Sequence, residues 1–145
     1  MAAELGTMKV TEQIDALKSL ATDPIHYLVV PRFLASCIML VFLTLYADVI
    51  GIAGGYCVGV FKLGISHYQY FNRTITALIL KDVYTGLIKA FVFGIVIAVV
   101  SCYFGFKAKG GAEGVGQATT MAVVVSFISI IVFDTFFTGF FYLVF

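Results

Sequence analysis

Three long runs nearly free of charge constrain this chain more than any other feature. Residues 33–61 contain one ionised side chain, Asp48. Residues 87–106 contain Lys89 near their start, and the run from residue 118 to the C-terminus contains Asp134. About 20 apolar residues suffice to cross the hydrocarbon core of a bilayer, so each run predicts a transmembrane helix, over 33–61, 87–106 and 118–143. Inside lipid the backbone must pair within its own segment, which makes the expected fold all-α. Composition agrees: 61% of residues are hydrophobic and 12% charged, against about half and a quarter in soluble domains. The mean hydropathy is +1.06. So few charges cannot cover a water-facing surface. Residues 1–145 read as one domain, and a net charge of +1 provides no basic field for nucleic acid.

Cys37, Cys57 and Cys102 lie in apolar stretches, widely spaced and odd in number, which fits buried thiols better than a disulfide framework or a metal site. The first residues lack a basic region followed by an apolar core, so insertion is expected to rely on the internal helices.

Ahead of the first span, Val10, Ile14, Leu17 and Ala21 recur on one face of a helix, with Glu12, Gln13, Asp15 and Lys18 on the others. Asp23-Pro24 should break it. This segment, residues 9–22, is too short and polar to cross a membrane, so it belongs at an interface or against a partner. Pro31-Arg32 is expected to open the first span. Within that span Gly51, Gly55 and Gly59, preceded by Ala47, form a small face that admits another helix backbone. The partner helix could belong to the same subunit or to another.

Residues 62–80 are more polar. Ile65, Tyr68, Phe71, Ile75 and Leu78 at helical spacing predict an interfacial helix with its rings at headgroup level. His67 reads as a solvated interfacial side chain rather than a pH switch. The second span carries Gly94, Ala98, Ser101 and Gly105 on one face. Lys89, two turns beyond Asp82, is placed to snorkel toward the interface. Residues 107–116 read as a glycine-rich loop, but with no strand before it and no Gly-Lys-Ser/Thr it is not a phosphate cradle. Lys9, Lys18, Arg32, Lys107 and Lys109 outnumber Lys62, Arg73, Lys81 and Lys89, which leans toward a cytoplasmic N-terminus.

Asp48 and Asp134 are intramembrane carboxyls, each costing roughly 2.5–3.5 kcal/mol at mid-bilayer. Either they line a lipid or proton pathway or they tie helices together. The tie is favoured, because no second acid or histidine lies in register to form a relay. With no catalytic constellation, no metal cluster and no cofactor motif, an enzyme is not expected.

Two blocks carry a resemblance. The first is Ala-Glu-Leu-Gly-Thr-Met-Lys-Val-Thr-Glu-Gln-Ile-Asp-Ala-Leu from residue 3, followed by Asp23-Pro24 and Val30-Pro31-Arg32. The second is Gly-Gly-Ala-Glu-Gly-Val-Gly-Gln-Ala-Thr-Thr from residue 110. Together with Asp-Val-Tyr-Thr-Gly-Leu-Ile-Lys from residue 82, they resemble the MlaE/YrbE permease family along essentially the whole chain. The resemblance implies an inner-membrane, multi-pass permease subunit of an ABC system that moves phospholipids. It also implies a homodimer, ATPase subunits that hydrolyse ATP, and an MCE-type substrate-binding protein. On that reading residues 9–22 are a coupling helix, with Glu12, Gln13, Ile14, Asp15 and Leu17 at the ATPase. Ile14 and Leu17 would enter an apolar groove. A helix lying on the membrane is the alternative, but such helices favour basic residues, and this one carries two acids and one lysine. Family members usually have an amphipathic segment and two further helices before the Ala-Glu-Leu-Gly block. The chain is therefore expected to correspond to the C-terminal portion, as a fragment or truncated gene. The alternative function is a non-transporting membrane scaffold that only pairs helices.

Overall fold

The computed structural model describes residues 1–78 and 80–144. Among them every regular element is helical: α1 (Ala2–Val10), α2 (Gln13–Ser19), a π-helical turn (Ile25–Val29), α3 (Val30–Phe61), α4 (His67–Ala77), α5 (Leu80–Lys107) and α6 (Gly111–Val144). Three stretches are long and apolar enough to span a membrane: Ile25–Phe61, Leu80–Lys107 and Gly111–Leu143.

The N-terminal segment differs from the single helix expected over 10–21. α1 ends at Val10, Glu12 takes a left-handed conformation (φ 61°), and α2 starts at Gln13. A non-glycine residue in that conformation costs about 1–2 kcal/mol. The bend is fastened across its corner, where Lys9 Nζ donates to both carboxylate oxygens of Asp15 at 3.0 and 3.3 Å. It also turns Ile14 into the same apolar cluster as Leu5, Leu28 and Cys102, with Met8, Leu17, Val29 and Phe106 packed around it. Leu5 and Ile14 are fully buried, worth about 1.5–3 kcal/mol each. α2 closes with Ala21 left-handed (φ 56°) and the Thr22 N–H donating to the Leu17 carbonyl at 3.2 Å, a Schellman arrangement.

α2 therefore ends ahead of Asp23-Pro24, at the left-handed Ala21 rather than at the proline, and Asp23-Pro24 starts the next helical stretch instead. Asp23 Oδ1 accepts from the Ile25 N–H at 3.0 Å, and the helix runs through the π turn into α3. Pro31 thus falls in the first turn of α3, as expected, although the helical path continues back through the π turn to Ile25. A proline here has no N–H to offer the preceding turn and crowds the carbonyl four residues back. The wider π turn just before it accommodates both defects.

α5 and α6 form a helical hairpin. The glycine-rich loop expected over 107–116 shrinks to residues 108–110, because Gly110 (φ 88°) and Gly111 (φ 74°) reverse the chain within two residues. Glu113 then sits in the first turn of α6, where a carboxylate suits the helix dipole. Along α5, Ala90, Gly94, Ala98, Cys102 and Gly105 form a buried stripe. α3 crosses it at Gly94, where an added Cβ would stand 3.0 Å from the Cys37 Cα. α1 lies over the end of the hairpin. An added Cβ at Gly105 would come 2.7 Å from the Leu5 Cβ, and one at Gly6 would stand 3.2 Å from the Ala108 Cβ. The Ala-Glu-Leu-Gly block is thus a wedge whose small residues permit close approach.

Candidate functional site

Two constellations stand out among the polar groups of the described residues. The first is the α1–α2 corner. Glu12 and Gln13 are exposed, Leu17 is half-buried against the cluster, and Ile14 is 1% exposed. Ile14 is therefore not free to enter a partner's groove, as the family resemblance implied. Its side chain is consumed by the chain's own core. Asp15 faces outward between Lys9 and Lys18, and the Lys9 hydrogen bond holds its carboxyl below the usual carboxylate range. Beside α2 runs an apolar groove of about 310 Å³, with Ala16, Leu17, Leu20 and Tyr27 in its walls. Arg32, at the start of α3, reaches back to α1, its Nη2 lying 2.7 Å from Glu4 Oε1.

The second constellation lies between α5 and α6 inside the spans. Lys89 Nζ donates to Asp134 Oδ1 at 2.9 Å and to Thr138 Oγ1 at 2.7 Å. Lys89 stands 18 residues before the end of α5 and Asp134 stands 23 after the start of α6. At about 1.5 Å per residue those heights are roughly 27 and 35 Å above the hairpin turn, a gap the lysine stem spans. Lys89 is thus turned inward to a partner rather than snorkelling. Asp134 is tied between helices by a cation, a class of partner that a search for acids and histidines passes over. Opposite charges at similar heights on the two helices of a hairpin were the signal that could have found it. Asp48, by contrast, faces outward from α3 and has no hydrogen bond or ion pair among the described residues.

The glycine face of α3 meets a side chain rather than a helix. An added Cβ at Gly55 would stand 2.7 Å from the Tyr70 hydroxyl oxygen, and one at Gly59 would stand 3.4 Å from the same ring. At Gly51 it would meet nothing within 4 Å. Tyr70 comes from α4 and donates to the Ile52 carbonyl at 2.9 Å. Its neighbour Tyr56 hydrogen-bonds His67 Nδ1. His67 therefore has a side-chain partner, where its sequence setting suggested only solvent.

Together these features define a multi-pass α-helical membrane protein with a folded corner at one end of its spans and an ion pair within them. The profile of the family described as Permease MlaE matches residues 1–140, and the chain belongs to that family. It is 53% identical over 132 residues to a probable ABC transporter permease protein of Rickettsia typhi, covering 91% of this chain and 51% of that protein. A probable ABC transporter permease protein of Synechocystis is 45% identical over 135 residues, covering 93% and 51%. The chloroplastic protein trigalactosyldiacylglycerol 1 of Arabidopsis thaliana is 44% identical over 141 residues, covering 97% and 40%. The chain spans about half the length of the curated relatives it matches.

Proposed function

We propose that this chain forms part of the membrane subunit of an ABC-type lipid transporter in the inner (plasma) membrane, and that the α1–α2 corner receives the motion of a partner ATPase. The observation that carries this is the two-sidedness of α2. Glu12, Gln13 and Ala16 face outward, while Ile14 beneath them is locked to Leu28 and Cys102, at the foot of α3 and on α5. Displacing α2 must therefore displace the feet of two spans. Family membership supports phospholipid or a related lipid as the cargo, with a second copy of the subunit and an MCE-type protein completing the assembly. Topology follows the lysine bias: the corner and the hairpin turn are cytoplasmic, and α4 lies on the other side.

The test is co-purification of the cognate ATPase with the full-length subunit carrying Glu12→Lys and Ala16→Glu. Both positions are exposed, so the melting temperature should stay near wild type while bound ATPase falls about tenfold or more. Full retention of the ATPase would overturn the assignment of the corner as the coupling surface.

A further inference from the structure

We propose that α4 is a strap fastened to α3 by Tyr70, and that its release frees the Gly55–Gly59 notch on the first span. α4 has no buried residue. Its anchors to α3 are concentrated near its start. Tyr70 fills the notch over Gly55 and Gly59 and bonds the Ile52 carbonyl, and His67 bonds Tyr56. The Tyr56 ring meets Tyr70 and Phe71 edge-on, at centroid distances of 5.5 and 6.0 Å. Further along, Ile75 is 68% exposed. The strap begins after Gly64, whose positive φ of 67° makes the turn out of α3. The hold on this amphipathic helix thus comes from a small cluster, Tyr70 in its notch and His67 and Phe71 against Tyr56, while Tyr68 and Ile75 remain outside. Those side chains suit the headgroup region of a bilayer, which gives the unfastened strap somewhere to rest.

The fastened state has a steric consequence. Any helix using Gly55 for close backbone approach must occupy the space that the Tyr70 hydroxyl holds. Tyr70 in its notch and a helix packed on Gly55 and Gly59 exclude each other. Close backbone approach at Gly55 and Gly59 is therefore barred or allowed according to the strap.

The experiment is pulsed electron spin resonance on the full-length subunit in nanodiscs, with native cysteines replaced and spin labels at Val49→Cys and Arg73→Cys. Wild type should give a predominantly short, narrow distance distribution. Tyr70→Ala should raise the long, broad population about fivefold or more, the effect of losing a hydrogen bond and a ring contact. Gly55→Leu, which blocks the notch from the other side, should do the same. Tyr70→Phe keeps the ring and should fall between. Thermal melts would check that α3 and the hairpin remain folded in each variant. Distance distributions unchanged in both Tyr70→Ala and Gly55→Leu, in folded protein, would overturn the proposal. So would a wild-type distribution already broad and long.

Discussion

Lys89 and Asp134 face each other across the α5–α6 hairpin, with Nζ 2.9 Å from Oδ1 and Thr138 accepting a second hydrogen bond from the same ammonium at 2.7 Å. Each charge would be costly alone in hydrocarbon, and the pair offsets part of that cost.

Replacing one partner should therefore hurt more than replacing both. Lys89→Met leaves Asp134 without its cation and should destabilise the detergent-solubilised protein by about 2–3 kcal/mol. The double variant Lys89→Met with Asp134→Leu should recover most of that loss. A thermal melt of the four proteins in the cycle measures the coupling. Additive losses would mean that the two charges act independently.

Ile14 makes a sharp contrast with its neighbour Glu12. Ile14→Ala removes a buried side chain from the cluster with Leu5, Leu28 and Cys102 and should cost about 2–4 kcal/mol. Glu12→Gln alters only an exposed group and should leave stability within about 0.5 kcal/mol. Detergent-phase unfolding reads both. Equal, small effects would mean that α2 is not seated on the core.

Two glycines of similar appearance should behave oppositely. Gly94→Ala drives a methyl to 3.0 Å from the Cys37 Cα, where backbone must yield, and should loosen the α3–α5 crossing. Gly51→Ala meets open space and should be neutral or stabilising by up to about 1 kcal/mol through helix propensity. Melting temperatures of the isolated subunit decide this. A large loss at Gly51 would place another backbone against it.

Acid should loosen the α1–α2 corner. Asp15 has its pKa lowered from 3.8, chiefly by the Lys9 hydrogen bond. Its contribution is thus fully present above the ordinary carboxylate value and lost as pH falls through the lowered one. Hydrogen exchange of α2 amides, corrected for intrinsic rates, should accelerate over that acidic window in wild type. Asp15→Asn should remove this dependence and exchange faster at neutral pH. The same acid response in the Asn variant would assign the titration to another group.

The spans were the most legible part of the sequence, because lipid permits so few solutions that apolar length alone nearly determines them. The small face of α5 was legible for a related reason: Gly94, Ala98 and Gly105 at helical spacing can only serve close packing. The bend at Glu12 was not. Val10, Ile14 and Leu17 keep helical period straight through it, and only the tertiary position of Leu28 and Cys102 makes turning worthwhile. Likewise the glycines of α3 advertise a close neighbour without naming it. That the neighbour is a tyrosine ring from a helix more than ten residues away depends on how the chain folds back at Gly64. The extra turns of α5 and α6 were hidden by Lys81, Asp82 and Glu113, polar residues that suit helix ends as well as loops.

The continuous path from the π turn through α3 gives the molecule a long arm. Its 32 residues from Val30 to Phe61 make a rod of about 48 Å, with Leu28 in the cluster just below the near end and the Tyr70 notch close to the far one. Rotating such a rod by about 5° about its near end moves the far end by roughly 4 Å, about three-quarters of a helical turn. A displacement too small to repack the cluster would still be large where α4 is attached.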